Sequence, residues 1–76
     1  MTELLNYIVA QIVADPKQIK IDREDTDEAV ILKLSLPEEE RGIIIGKGGM
    51  NIKAIRNLIS IIARREGKRV MIDVTD

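Results

Sequence analysis

One stretch decides how this chain folds, ERGIIIGKGGMNIKAI, which occupies residues 40–55. Three isoleucines lead into a loop of three glycines and one lysine, and an apolar pattern resumes directly after it. Glycine is unfavourable inside helices and strands, so such a cluster marks a turn with an unusual backbone or a place where a ligand comes close. The elements on both sides of the loop help to decide between these possibilities.

Helices are predicted on both sides of the loop. After it, apolar residues at helical spacing predict a helix from about Met50 to Arg65, whose main apolar face comprises Ile52, Ile55, Leu58, Ile59, Ile62 and Ala63. Gly67 follows a basic last turn and is a natural C-terminal cap. Before the loop, Pro37 and three glutamates favour a helix start, and Ser35 and Glu38 have capping-box spacing.

The rest of the chain supplies one more helix and three strands. Apolar spacing predicts a helix over residues 3–14, capped by Thr2 and ended by Asp15 and Pro16. Alternation predicts a hairpin of two strands around the acidic turn REDTDE at residues 23–28, and a third strand from Val70. The order α-β-β-α-α-β predicts an α+β fold of two layers, with the helices on one face of a three-stranded mixed sheet. Residues 1–76 are expected to form one domain.

The composition argues against an enzyme or a metalloprotein. The chain contains no cysteine and no histidine, so the commonest metal ligands and the commonest general base are missing. Glu38, Glu39 and Glu40 are adjacent carboxylates, but a favourable helix start explains them. No cofactor or metal is therefore expected. No apolar run reaches the ~20 residues of a membrane span, and the N-terminus does not resemble a signal peptide, so a cytoplasmic protein is expected.

A formal net charge of −1 hides a strong asymmetry along the chain. Residues 1–40 carry ten acidic and four basic side chains, whereas residues 41–69 carry eight basic side chains and one acidic one. The local sign of charge matters more to a partner than the total does. The asymmetry is consistent either with a basic surface for a polyanion or with acids and bases that pair across the fold.

The glycine loop fits some ligand-binding motifs better than others. A nucleotide P-loop needs four residues between its glycines and a hydroxyl after the lysine, whereas Gly42 and Gly46 enclose three and Gly48 follows Lys47. A dinucleotide fingerprint would need a third glycine where Asn51 stands. A plain turn needs one glycine for its cap. A G-x-x-G clamp fits best, because the start of the next helix and Lys47 would both favour a phosphate backbone.

The segment GIIIGKGGMNIKAIRNLI resembles the core motif of KH domains, I-I-G-x-x-G-x-x-I-x-x-I. The match includes Ile44, Ile45, the four residues of the loop, Ile52 and Ile55. The element order resembles type II, the prokaryotic arrangement, and the chain length is similar to that of the small bacterial proteins of the KhpA type, which contain a single KH domain.

This resemblance implies binding of single-stranded RNA, or of single-stranded DNA, at about four nucleotides per domain. The phosphate backbone would pass the loop, and the bases would lie in an apolar groove between the helices and the sheet edge. Ile45 and Ile52 are candidates either for the groove walls or for the core, and Arg41, Lys53 and Arg56 are candidates for flanking phosphates. The candidate RNA-binding residues are therefore Arg41, Gly42, Ile45, Gly46, Lys47, Gly48, Gly49, Ile52, Lys53 and Arg56.

A second apolar stripe on the helix after the loop predicts self-association. It consists of Ala54, Leu58, Ile61 and Arg65. The resemblance implies a homodimer or a heterodimer with a second KH protein, and a role in post-transcriptional regulation or RNA chaperoning. The alternative function is a KH-fold interaction module without RNA binding of its own.

Overall fold

The element order of the protein is the predicted one. A computed structural model describes residues 1–75. The helices are α1 (Thr2–Ala10), α2 (Glu38–Ile45) and α3 (Met50–Arg65), and the strands are β1 (Lys20–Asp25), β2 (Val30–Ser35) and β3 (Val70–Thr75). The central strand β2 pairs antiparallel with β1 and parallel with β3. The α+β fold with a three-stranded mixed sheet is therefore confirmed.

The hydrophobic core lies between one face of the sheet and the helices. Alternate residues of β2 are buried, namely Val30, Leu32 and Leu34, while Lys33 between them is exposed. The other elements add apolar side chains to the same cluster: Leu5, Val9, Ile44, Ile52, Ile55, Ile59 and Ile72. Removing this apolar surface from water is the main force that holds the helices on the sheet. In the described part of the chain, no helix has the length and apolarity to cross a membrane.

The first helix is shorter than predicted at one end and longer at the other. Met1, not Thr2, is its N-cap, because the carbonyl of Met1 accepts from Leu5 N at 2.9 Å. The helix ends at Ala10, and the N–H of Ala14 donates to Glu40 Oε2 at 2.9 Å instead of continuing the helix. This long-range contact joins the end of the α1 segment to α2.

The acidic turn between β1 and β2 is also shorter than predicted. Strand β1 continues to Asp25, since Arg23 pairs with Leu32 of β2 and Asp25 pairs with Val30. Charged residues have low strand propensity, but pairing along the whole of β2 overrides it, and charges on an edge strand oppose aggregation. The turn itself comprises residues 26–29, where Thr26 N donates to the carbonyl of Ala29 at 2.8 Å.

The start of α2 differs from the sequence-based prediction, whereas α3 has the predicted bounds. Pro37 is the N-cap of α2 and not its first residue, and no side chain caps the helix. Ser35 cannot supply the predicted capping box because it lies in the β2 ladder. The predicted C-terminal cap of α3 is confirmed: Gly67 has φ of +70°, and the N–H of Lys68 donates to the Ala63 carbonyl at 2.8 Å.

Candidate nucleic-acid interface

All three glycines of the loop have a backbone conformation that other residues rarely adopt. Gly46, Gly48 and Gly49 have φ of +74°, +66° and +78°. Gly46 ends α2, a 3₁₀ turn occupies Lys47–Gly49, and α3 follows at once. The shape of the turn therefore accounts for three glycines, where the sequence argument expected one for a cap. A helix, not a strand, precedes the loop, which excludes a nucleotide P-loop.

Asn51 braces the glycine loop from the first turn of α3. Its side-chain Nδ2 donates to the carbonyl of Ile43 at 2.8 Å, which ties α3 to the end of α2. A Cβ built on Gly46 would lie 2.7 Å from the Asn51 side chain, so only glycine leaves room for this contact. Sequence reasoning missed Asn51, although an amide in the first helical turn after a glycine loop is a usable signal.

Two lysines and the start of α3 form the positive part of the loop. Lys47 is exposed at its tip, and a Cβ on Gly49 would lie 4.0 Å from Cε of Lys53, so the Lys53 side chain runs beside the loop. No side chain caps the N-terminus of α3. The first amides of a helix and its dipole attract anions, and both lysines add positive charge at this place.

A cleft separates α3 from the free edge of β3. One part of it, of about 260 Å³, is lined by Arg56, Ser60, Val70, Met71 and Ile72. An adjoining part, of about 440 Å³, is lined by Ser60, Arg64, Gly67, Lys68, Arg69 and Val70. The lining residues include four basic side chains and no acidic ones. The predicted groove between the helices and the sheet edge was apolar, whereas this cleft combines Val70, Met71 and Ile72 with basic side chains.

The cleft contains three basic residues that sequence reasoning did not include. These are Arg64, Lys68 and Arg69. The run RREGKR at residues 64–69 was a visible signal because it directly precedes the predicted third strand, but only the fold shows that it lines a cleft with Ser60 and Val70. Arg56 also belongs to this cleft, and its Nη2 donates to the carbonyl of Ile72 at 3.2 Å. The predicted patch of basic residues therefore extends further from the loop than the motif suggested.

The isoleucines around the loop separate into core and surface. Ile44 is fully buried and Ile52 is 6% exposed, so both belong to the hydrophobic core. Ile43 and Ile45 are exposed at 44% and 41% at the end of α2. Ile45 is thus the groove candidate that remains accessible. Of the remaining candidates, Gly42 is exposed with no atom within 4 Å of a Cβ built on it, and Arg41 is half-buried.

Within residues 1–75, no acidic side chain forms an ion pair with the basic side chains of the cleft. Two ion pairs occur among residues 1–75, Arg23 with Asp25 at 2.8 Å and Lys33 with Glu24 at 3.4 Å. Both lie within the β1–β2 hairpin. A hydrogen bond from Arg23, helped by the charges of Arg23 and Lys68, lowers the pKa of Asp25. The cleft cations Arg56, Arg64 and Arg69 take part in neither ion pair.

The second stripe of α3 faces solvent. Leu58 and Ile61 are exposed at 45% and 55%, and Ala54 and Arg65 are exposed as well. The sequence also assigned Leu58 to the main apolar face, and that assignment is wrong. The reason is helical phase, since Leu58 lies about 100° around the helix from Ile59, which is in the middle of the buried face.

Comparison with known proteins agrees with this geometry. A family model described as "KhpA/KhpB, KH domain" matches residues 2–74. The chain belongs to the KhpA/KhpB family of KH domains. It is a family of binding domains and not of enzymes, as the sequence predicts.

Curated members of the KhpA group resemble the chain over its full length. RNA-binding protein KhpA of Listeria monocytogenes is 34% identical over 76 residues, which is 100% of both chains. RNA-binding protein KhpA of Bacillus subtilis is 33% identical over 100% of this chain and 94% of its own. The protein of the same name from Chlamydia pneumoniae is 36% identical over 100% of this chain and 97% of its own.

Proposed function

We propose that this protein binds single-stranded RNA through the glycine loop and the cleft between α3 and β3, with residues 1–76 acting as one KH domain. The observation that carries the proposal is the continuity of positive charge along one side of α3. Lys47 and Lys53 lie at its N-terminal end, and Arg56 and Arg64 follow along the cleft. The names of the curated relatives describe RNA-binding proteins, and this supports the same polyanion here.

In this proposal the loop holds the phosphate backbone and the cleft holds the bases. Gly48 has no side chain, and a Cβ built on it would meet no atom within 4 Å. A sugar-phosphate chain can therefore approach the main chain of the loop at this residue. Phosphates would contact Lys47 and Lys53 at the positive end of the α3 dipole, and these contacts position the RNA strand without reading its sequence. About four nucleotides span such a site. The exposed side chain of Ile45 would pack against the RNA strand beside the loop. Ile52 is buried and would support the loop from the hydrophobic core.

The loop is tested by reversing its charge. We expect the double variant Lys47→Asp/Gly48→Asp to lose RNA binding in fluorescence anisotropy with a labelled single-stranded octamer. The circular dichroism spectrum should be retained, because Gly48 lies in open space and aspartate tolerates its left-handed backbone.

The control for this experiment changes the net charge equally at another place. Lys17→Asp/Lys20→Asn also makes the chain more negative by three charge units, at exposed residues around the start of β1. Lys20 belongs to β1, at the sheet edge opposite to β3, and salt screens exposed charges, so this variant should keep most of its affinity. Equal affinities of the two variants would refute the loop as the RNA site.

A second candidate function is a KH-fold interaction module, and the exposed stripe of α3 favours it. We propose that Ala54, Leu58, Ile61 and Arg65 pair two copies of the chain, or this chain with a second KH protein. Helical spacing of four, three and four residues places them along one line, which suits packing against another helix. A two-fold dimer would use the same stripe on both copies.

Sedimentation tests this pairing, and salt dependence separates the two candidates. Ile61→Asp should convert a dimer into a monomer, while Met71→Asp, at a similarly exposed residue on the sheet, should not. Identical monomeric sedimentation of wild type and Ile61→Asp would disprove the pairing.

RNA binding through phosphates should weaken with salt, with a log–log slope near −0.7 for each contacted phosphate. Partner binding that ignores salt, without affinity for RNA, would favour the interaction module.

The cellular role that fits such a protein is post-transcriptional regulation or RNA chaperoning in the cytoplasm. A small domain that contacts phosphates and few bases binds many RNAs with modest selectivity. Crosslinking in cells, followed by sequencing of the bound RNA, would identify the targets.

A further inference from the structure

Arg56 spans the cleft from one wall to the other. It projects from α3, and its Nη2 donates to the main-chain carbonyl of Ile72 in β3 at 3.2 Å, at a partly buried place. Ser60 and Met71 line the same part of the cleft. The sequence suggested Arg56 as a phosphate contact, but its guanidinium is directed at the strand edge, where a base would have to enter.

The free edge of β3 exposes the main-chain groups of alternate residues. Val30 N donates to the Arg69 carbonyl at 2.8 Å and Leu36 N donates to the Thr75 carbonyl at 3.1 Å. The main-chain N–H and C=O groups of odd-numbered residues in this segment therefore point toward β2. Because main-chain directions alternate along a strand, even-numbered residues turn toward the cleft. Ile72 therefore directs one donor, its N–H, and one acceptor, its carbonyl, at an incoming base.

The Arg56 contact changes the pattern that this edge offers. A guanidinium carries five N–H donors and no acceptor. When it covers the Ile72 carbonyl, the position at Ile72 offers only donors, namely the N–H of Ile72 and the remaining N–H groups of Arg56. The Val70 carbonyl and the Ser60 hydroxyl are the acceptors that line the same part of the cleft. Without Arg56, the same edge would offer a donor beside an acceptor.

Adenine responds to these two patterns differently from cytosine and guanine. Adenine presents its N6 amine, a donor, next to an acceptor on both its Watson–Crick and its Hoogsteen edge, so it needs a donor beside an acceptor. Cytosine presents N3 and O2, and guanine presents O6 and N7, as neighbouring acceptors that two donors can satisfy. We propose that Arg56 is a specificity-determining residue, which makes the cleft favour cytosine or guanine over adenine by covering the Ile72 carbonyl. This inference rests on the proposed function, since a base must enter the cleft.

The experiment compares two octamers, one of cytidine and one of adenosine, against three proteins. These are the wild type, Arg56→Met and Arg64→Met. Both variants remove one positive charge from the cleft and keep an aliphatic stem, but the hydrogen bond to Ile72 belongs to Arg56. Because each protein is judged by the ratio of its two affinities, the stacking of free adenosine strands cancels between proteins.

We expect the wild type to bind the cytidine octamer about tenfold more tightly than the adenosine octamer, which is the size of effect that a two-point base contact produces. Arg56→Met should lower this ratio to about one, whereas Arg64→Met should weaken both octamers and keep the ratio. If Arg56→Met and Arg64→Met had the same ratio of cytidine to adenosine affinity, the role of Arg56 would be overturned and the RNA-binding proposal would remain intact. Failure of the wild type to bind either octamer would instead overturn the RNA-binding proposal, and the role of Arg56 with it.

Discussion

The hairpin turn at residues 26–29 and the glycine loop at residues 46–49 both reverse the chain at the surface, but they are closed in different ways. In the hairpin turn, Thr26 Oγ1 accepts from Ala29 N at 2.9 Å and from Glu28 N at 3.3 Å, and it donates to the Ala29 carbonyl at 3.0 Å. In the glycine loop, the one described side-chain bond, from Asn51 to Ile43, reaches back to α2.

The difference separates a turn that its own side chain closes from one that main-chain bonds close, from Gly46 N to the Gly42 carbonyl at 3.0 Å and from Gly49 N to the Gly46 carbonyl at 3.1 Å. The hairpin turn carries Asp27 and Glu28, and its amides are already used by Thr26. The glycine loop carries Lys47 and leads into a helix without a side-chain cap. Positive charge at the start of a helix suits the glycine loop to an anion, whereas the acidic side chains of the hairpin turn oppose one.

The largest expected effect concerns Gly46, which combines an unusual backbone with close packing. Gly46→Ala should lower the free energy of unfolding by about 3 kcal/mol, because its backbone suits only glycine and a Cβ would meet Asn51 at 2.7 Å. Gly48→Ala, with a similar φ and open space, should cost about 1 kcal/mol. Urea denaturation measures both values.

A double-mutant cycle sharpens this prediction. Removing the Asn51 side chain removes the atoms that the new Cβ would meet, so Gly46→Ala should cost less in an Asn51→Ala background than in the wild type. Costs that simply add would mean that the backbone alone, and not the contact with Asn51, makes glycine necessary here.

A substitution in the hairpin turn should lower stability without lowering the affinity for RNA. Thr26→Val keeps the shape of the side chain but removes its hydroxyl, so it should lower the free energy of unfolding by about 1–2 kcal/mol. RNA affinity in the same protein should remain at the wild-type value. If Thr26→Val lowered the RNA affinity as much as Lys47→Asp/Gly48→Asp does, the claim that only the glycine loop contacts RNA would be wrong.

Gly42 offers a smaller effect, in which stability and binding should move in opposite directions. Its φ is not positive and no atom lies near its added Cβ, so nothing in the free protein requires glycine inside α2. Gly42→Ala should raise the free energy of unfolding by about 0.5–1 kcal/mol, the usual difference in helix propensity. If the RNA strand passes close to α2, affinity should fall several-fold. Raised stability with unchanged affinity would remove α2 from the interface.

The smallest effect is the pH dependence that Asp25 contributes. Since Arg23 lowers its pKa from the ordinary value of 3.8, the stabilisation is fully present above that value and is lost as pH falls through the lower, folded pKa. In thermal unfolding, the Tm of the wild type should exceed that of Asp25→Asn at pH 6, and the two Tm values should become equal in strong acid. Asp27→Asn, which lacks the Arg23 contact, serves as the control. A difference that persists unchanged at the lowest pH would exclude the ionised Asp25–Arg23 contact as its source.

Local signals in the sequence sufficed for much of the fold. Strand alternation predicted the buried side of β2, and helical spacing with Gly67 predicted the bounds of α3. The errors occurred where distant partners make contacts. Beyond the end of α1 the N–H of Ala14 donates to Glu40, and β1 continues where β2 offers pairing partners. No spacing rule contains such contacts.

The candidate site was predictable only in part, for the same reason. The loop and its lysines lie within one motif, so the sequence contains them as neighbours. The second wall of the cleft comes from β3, and Arg64 and Arg69 reach it only because β3 pairs parallel to β2. Ile45 and Ile52 have similar local sequence surroundings, yet one is exposed and the other is buried, because burial depends on what packs above the helix.

The most direct test of the proposed clamp is an RNA titration of isotope-labelled protein followed by amide chemical shifts in NMR. The account predicts the largest shifts at the amides of the glycine loop and the first turn of α3, from Lys47 to Asn51, with further shifts along the cleft at Arg56 and Ile72. The amides of Thr26 and Ala29 in the hairpin turn should not move. Large shifts in the hairpin turn or along Leu58 and Ile61, with the glycine loop unchanged, would contradict it.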